Sequence, residues 1–181
     1  MEKLVKILNQ GGVAVVPTDT LYGVVGKADD QNIVKRIFDL KCRSQDKPFI
    51  ILISNIEQLK QFDLNLSTSL TSKLQEFWPG PNSLILNTDS AKLGYLHCGM
   101  KSLAFRLPDS QTLRELIDKT GPLVAPSANP EGNPPALTIS EAEGYFGDKI
   151  DCYHDGGMLE SQPSQLWRHL SGAEFEKIYR K

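Results

Sequence analysis

Cysteine is scarce in this 181-residue chain: Cys42, Cys98 and Cys152 lie far apart, with no C-x-x-C pair. An odd count at such spacing indicates neither a disulfide framework nor a zinc site. His97 and His154 stand beside two of the cysteines, but a set of three or four ligands calls for closer pairs, so no metal site is expected. No apolar run approaches ~18 residues, so no membrane span is expected. Met1 to Asn9 mixes charged with apolar residues and lacks the apolar core of a signal peptide, which makes a cytoplasmic protein the expectation. Charge of one sign is also missing. Lys and Arg total 20 against 22 Asp and Glu, a net charge of -2, which excludes a uniformly cationic nucleic-acid binder but not a local basic patch. With 40% hydrophobic and 23% charged residues, the composition is that of an ordinary globular protein, not of a disordered chain, a collagen or a coiled coil. Internal repeats, low-complexity tracts and linkers are absent, so one domain over residues 1–181 is expected.

What is there reads as alternating helices and strands. Leu4, Val5, Ile7 and Leu8 mark a helix that Gly11-Gly12 stops, and Val13 to Val16 is a buried-strand run. Pro17 to Gly23 reads as irregular. Asp30 can cap a helix to about Lys41, with Ile33, Ile37 and Phe38 on one face. Phe49 to Ile53 is a second strand, and Ser54 with Glu57 suggests a capping box. Ser67 to Phe77 is a helix ended by Trp78-Pro-Gly-Pro81. Leu84 to Leu86, Leu103 to Leu107, Leu123 to Ala125 and Ile150 to Tyr153 read as strands, with a helix around Leu113, Leu116 and Ile117 and another opened by Ser140 and Glu143. Leu166 to Leu170 and Phe175 to Tyr179 form a closing hairpin around a Ser-Gly turn. The alternation predicts an α/β fold with a twisted mixed sheet, parallel and antiparallel, flanked by helices.

Four segments carry chemistry. In Pro17-Thr-Asp-Thr-Leu-Tyr-Gly23, hydroxyls of Thr18, Thr20 and Tyr22 follow a buried strand, a favoured ligand position in α/β sheets; a tight turn with Asp19 serving backbone groups is the structural alternative. Lys35, Arg36, Lys41, Arg43 and Lys47 form a basic run. Cations at a helix end offset its dipole, but Arg43 and Lys47 continue past it, where they could clamp phosphates. No Gly-x-x-x-x-Gly-Lys loop is present, which excludes a P-loop. Arg106 lies in the apolar strand Ser102 to Leu107 and is costly to bury without an anion; an outward-facing position is the alternative. Finally, Pro122 to Ala125 leads into Pro126-Ser127-Ala128-Asn129 and a Pro/Gly-rich loop, in which Ser127 and Asn129 offer donors and acceptors or ordinary turn chemistry.

Taken together, these segments resemble the YrdC-like family, and in particular its short bacterial threonylcarbamoyl-AMP synthases of the TsaC type. The resemblance rests on residues 17–23, Lys41-Cys-Arg43 with Lys47, Trp78-Pro-Gly-Pro81, Arg106, Ser127-Ala-Asn129, and Gly156-Gly157 followed by Pro163-Ser164. It implies a YrdC-like fold with a concave basic face. It also implies an enzyme that combines L-threonine, bicarbonate and ATP, with Mg²⁺ carried by the ATP, into threonylcarbamoyl-adenylate and pyrophosphate. A downstream transferase would then modify an adenosine of tRNA. Carried over by motif, Lys41, Arg43 and Lys47 would hold ATP phosphates, the first two as catalytic residues. Ser102, Ser127, Asn129 and Arg180 would contact the nucleotide. Thr20, Arg106 and Ser164 would bind threonine, and Thr18 and Tyr22 would be pocket walls. No general base and no protein-bound metal are implied.

Two departures stand out. Leu52 takes the place where longer, two-domain relatives carry a histidine, as in the short form, and the extra C-terminal domain of the long form is not expected. Asn82-Ser83 replaces a more usual Leu/Val-Thr. A paralogue without synthase activity is one alternative. An RNA-binding module is another, but it calls for aromatics stacked among the cations, and Phe38 and Phe49 read as core positions.

Overall fold

A computed structural model of the chain describes residues 1–44, 47–159 and 162–179. Six α-helices and nine strands occur among them. The helices are α1 (Glu2–Asn9), α2 (Gln31–Leu40), α3 (Thr68–Phe77), α4 (Gly94–His97), α5 (Gln111–Thr120) and α6 (Ile139–Phe146). The strands are β1 (Ala14–Pro17), β2 (Tyr22–Lys27), β3 (Ile50–Leu52), β4 (Asn82–Asn87), β5 (Ser102–Arg106), β6 (Leu123–Val124), β7 (Cys152–Tyr153), β8 (Gln165–His169) and β9 (Phe175–Ile178). They form one mixed sheet in the order β7-β1-β2-β6-β3-β5-β4-β8-β9. Pairs β1/β7, β3/β5 and β4/β8 are parallel and the other five are antiparallel.

Local chemistry sets most boundaries. The Asp30 carboxylate accepts from the backbone N–H of Asn32 and Ile33 and so starts α2. Ser67 and Ser110 cap α3 and α5 in the same way. Two expected caps are displaced. Asn55, not Ser54, opens a 3-10 helix over Ile56–Phe62; Gln58, not Glu57, reaches back to the Ser54 N–H at 2.9 Å. Thr138, not Ser140, caps α6, and Glu141 accepts from the Leu137 N–H at 2.8 Å. In both, the cap accepts from the N–H of the third helical residue, and that residue's side chain accepts from the N–H just before the cap, a variant of the capping box; neighbouring Ser, Thr and Asn residues compete for the one cap role. Strand β2 corrects the reading of its first residues as irregular. It is buried through Gly26, and two glycines among apolar residues blur the strand pattern.

Each strand sends alternate residues to opposite faces, and the two faces are covered unequally. On one, Leu103 and Phe105 of β5, Leu84 and Leu86 of β4, and Ile51 of β3 join a core with residues of α2, α3, α4 and α6. On the other, Leu4 and Leu8 of α1 and Leu113, Leu116 and Ile117 of α5 pack on Ala14, Val16, Val25, Leu52 and Leu123. That second core sits over the β1, β2, β6 and β3 part of the sheet. Ala104, Ile85, Leu166 and Arg168 of β5, β4 and β8 instead floor a cavity. Leu52 is fully buried in the second core and so is not a cavity wall.

Gly26 allows α2 to lie directly on β2. A Cβ there would stand 2.4 Å from Ile33 Cγ2 and 3.0 Å from Ile37 Cδ1. Gly26→Ala is expected to lower unfolding free energy by about 1–3 kcal/mol through overpacking, as read by urea denaturation.

Candidate functional site

The cavity holds about 500 Å³. Its floor follows from strand alternation: Ser102, Ala104 and Arg106 of β5, Ile85 of β4, Ile50 of β3, and Leu166 and Arg168 of β8 share one face. Around that floor stand the β1–β2 turn, Arg43 with Pro48 and Phe49, the loop after β6, and Pro163-Ser164 ahead of β8. Thus Thr18, Thr20, Tyr22, Arg43, Ser102, Arg106, Ser127 and Ser164 all line one cavity. Lys41, Lys47 and Asn129 do not line it, and Arg180 lies outside the described residues.

Arg106 is only 5% exposed. Its guanidinium pairs with Asp19 Oδ1 at 2.8 Å and donates to Thr20 Oγ1 at 3.0 Å. Asp19 also accepts from the Asp109 N–H at 3.1 Å. The turn chemistry expected of Asp19 falls instead to Thr18, whose hydroxyl donates to Leu21 O at 2.7 Å and accepts from the N–H groups of Thr20 and Leu21. Asp19 is therefore a site residue that sequence reading missed. Its signal was the charge opposite to Arg106, but nothing local pairs the two. Ser164 Oγ lies 2.9 Å from Ser83 Oγ, which gives the Ser83 departure a partner at the site. Asn82 is held as well, its side-chain oxygen accepting from Trp167 Nε1 at 3.1 Å.

The loop after β6 is clamped from several sides. Ala128 N–H donates to Tyr22 O at 2.8 Å, and Val24 N–H to Pro126 O at 2.9 Å. Ser127 Oγ donates to Asn129 Oδ1 at 2.6 Å, and Asn129 Nδ2 donates to Asn133 O at 2.7 Å. The Asn129 amide therefore shapes the loop. Lys41, 2% exposed, completes the clamp. Its ammonium donates to Ser127 O, to Asn129 O at 2.5 Å and, at longer range, to Asn129 Oδ1 at 3.4 Å. Burial, then the charge of Arg43, push the Lys41 pKa down from 10.5 to about 7, and Glu131 opposes them.

Beyond Lys41 the chain turns outward. Arg43 Nε donates to Lys47 O at 3.1 Å, and its guanidinium lies 5.5 Å from the Phe49 ring centroid. Phe49 in turn stacks on Phe38 at 4.0 Å, and both rings are buried. Lys47 pairs with Glu131 at 2.6 Å, while Glu131 also accepts from the Ser44 N–H at 3.2 Å. Those contacts, the Lys47 hydrogen bond foremost, hold the Glu131 carboxyl below its usual range. Tyr22 OH accepts from the Gly156 N–H at 2.9 Å and lies 2.7 Å from Gly157 O, which fastens the segment after β7 to the site. Burial, the largest influence, raises its pKa.

Among the described residues no group of three or more His, Cys, Asp or Glu side chains could hold a metal ion. No helix among them is long and apolar enough to cross a membrane. The arrangement offers three buried hydroxyls, those of Thr20, Tyr22 and Ser164, with the braced Arg106 guanidinium and the further cations Arg43 and Arg168 over a partly apolar floor. It can bind and orient an anionic ligand.

The family model for Sua5/YciO/YrdC proteins, described as telomere recombination, matches residues 6–180. A threonylcarbamoyl-AMP synthase of Pyrococcus abyssi is 36% identical over 152 residues, 83% of this chain and 44% of that protein. The chain therefore spans less than half the length of that relative. A threonylcarbamoyl-AMP synthase of Pseudomonas aeruginosa is 31% identical over 165 residues, 91% of this chain and 89% of that one. The crystal structure of Pyrococcus abyssi Sua5 complexed with L-threonine superposes with a TM-score of 0.84 at 32% identity, covering 91% of this chain and 49% of that one. Escherichia coli YciO shares the fold, with a TM-score of 0.81 at 22% identity over 93% of this chain and 83% of that one.

The Lys41 clamp has a pH signature. Above about pH 7 its amine is neutral in the folded chain, while the unfolded chain keeps the proton up to about 10.5. The unfolded state then binds more protons, so this group's contribution to stability rises with pH across that window. The wild type should gain about 2 kcal/mol of unfolding free energy relative to Lys41→Met between pH 7 and pH 9. Urea titrations at both pH values check this, and parallel pH profiles would contradict it.

Proposed function

The chain belongs to the Sua5/YciO/YrdC family, and from that premise we propose that it converts L-threonine, bicarbonate and ATP into threonylcarbamoyl-adenylate and pyrophosphate. The observation that carries this reading is the meeting of Thr20, Arg106, Ser127, Arg43 and Ser164, from separate segments, on the wall of one cavity. The names and the bound L-threonine of the relatives point the same way.

In this reading Arg106 and Thr20 take the threonine carboxylate and hydroxyl. Asp19 holds the guanidinium so that its remaining donors are presented without rotamer search. Ser164 closes the threonine side. Arg43 and Ser127 meet the nucleotide, Lys47 reaches its phosphates after leaving Glu131, and Ser102 stands on the floor beneath. Lys41 and Asn129 act by holding the Ser127 loop in shape, so Lys41 is a positioning residue. The threonine amine adds to bicarbonate with loss of water to form a carbamate. A carbamate oxygen then attacks the α-phosphorus of ATP, the bond to the bridging oxygen breaks, and pyrophosphate leaves. ATP enters with its Mg²⁺, whose ligands are substrate oxygens and water. The protein's part is to bring two anions together and offset their repulsion. The product is then a substrate for a transferase that acts on tRNA.

The test is pyrophosphate release from ATP, with and without bicarbonate, comparing L-threonine with other amino acids and with none. Release that requires both co-substrates is expected. Folded protein that binds ATP but shows no threonine-dependent release would point to a paralogue of other specificity. Thr20→Val is expected to raise the KM for threonine by roughly threefold to tenfold, the loss of one neutral hydrogen bond, with the KM for ATP nearly unchanged. Arg43→Ala is expected to lose turnover while keeping the wild-type unfolding midpoint.

A further inference from the structure

Strands β3, β5, β4 and β8 align one row of residues across the cavity floor. Ile50 pairs with Ala104, Ala104 with Ile85, and Ile85 with Arg168. All four line the cavity. Three are apolar, and the fourth ends the row with an exposed guanidinium. Arg106 lies one side-chain row away on β5. At ~4.8 Å between strands and ~6.7 Å between same-face residues, the two arginine Cα atoms are roughly 12 Å apart. They can therefore serve two different groups of one ligand.

Their partnering differs as much as their position. Arg106 is buried against Asp19 and Thr20, Lys41 is held by carbonyl oxygens, and Lys47 is paired with Glu131. Beyond the backbone ladder of β8, the Arg168 side chain makes no hydrogen bond, ion pair or ring contact with any described residue. Glu176 is its direct neighbour across the β8/β9 ladder, and such cross-strand pairs of opposite charge are normally favourable. The two side chains form no ion pair, and that of Arg168 is instead on the cavity wall.

We propose that Arg168 is a ligand-binding residue of this cavity and that it takes the polyphosphate end of the nucleotide, including the pyrophosphate that leaves. The assignment rests on the function proposed above. A buried, already matched Arg106 suits a single carboxylate enclosed by the site. An exposed guanidinium with no partner among the described residues suits a highly charged group that stays in contact with water, and its fork matches phosphate oxygens. The exposed Met100, also on the cavity wall, leaves that side of the floor open, as departure of pyrophosphate requires.

The experiment is calorimetric titration of inorganic pyrophosphate, MgATP and L-threonine into the wild type, Arg168→Gln and Arg168→Lys. Thermal unfolding of each variant shows whether it is folded. Arg168→Gln should weaken pyrophosphate and MgATP by roughly tenfold, leave threonine within about twofold, and be partly rescued in Arg168→Lys. Equal phosphate affinity in the wild type and Arg168→Gln would overturn the assignment while leaving the proposed function intact. Loss of threonine instead of pyrophosphate would overturn it in favour of a carboxylate site. A wild type that binds neither MgATP nor pyrophosphate would overturn both.

Discussion

Arg106 carries a permanent positive charge at a position 5% open to solvent, and Asp19 meets it at 2.8 Å from a side chain equally enclosed. Desolvating both groups is expensive, and a single uncompensated one would cost more. The pair therefore ties the β1–β2 turn to the end of β5. Thr20 is drawn in by its own hydrogen bond to the guanidinium. Thr18 spends its hydroxyl on the turn backbone, which leaves Asp19 free to face the arginine. The cavity wall at this corner is thus set by one charge balance, and the hydroxyls presented there follow from it.

A second balance shapes the neighbouring wall, the loop after β6. Lys41 ends α2 inside the protein, where the carbonyl oxygens of Ser127 and Asn129 replace water around its ammonium. The cost of that burial appears in its lowered pKa. Arg43 and Lys47, two and six residues on, lie at the surface and make exposed contacts. The basic run is therefore divided: its innermost member organises a loop, and its outer members make exposed contacts at the surface. An ammonium that is buried to hold carbonyls has no donors left for a ligand, whereas exposed cations lose little by changing partners.

The fold itself was largely legible. Hydrophobic periodicity and the Asp30 cap are local signals, and α2, α3 and α5 lie where expected. The closing hairpin was equally plain from its turn. Strand β2 was not, because Gly23 and Gly26 carry no side chain to mark alternation. Their purpose is visible only when α2 lies against the strand. Caps at Asn55 and Thr138 were misplaced by one or two residues because several polar side chains in a row can each perform the same local task.

The sequence by itself determined which chemistry was present: hydroxyls after a buried strand, cations past a helix end, an arginine in an apolar strand, and a Ser-Ala-Asn turn. Such features are written in residues that are neighbours in the chain. Tertiary structure alone decided how they are used. Thr20 and Arg106 are 86 residues apart and Lys41 and Asn129 are 88 apart, and no local pattern couples residues at that range. Strand order brings them together, and burial then dictates which charges must be matched within the protein. Arg168 reads in sequence as one more polar residue of a hairpin. Its place at the end of a row across four strands gives it a cavity to face.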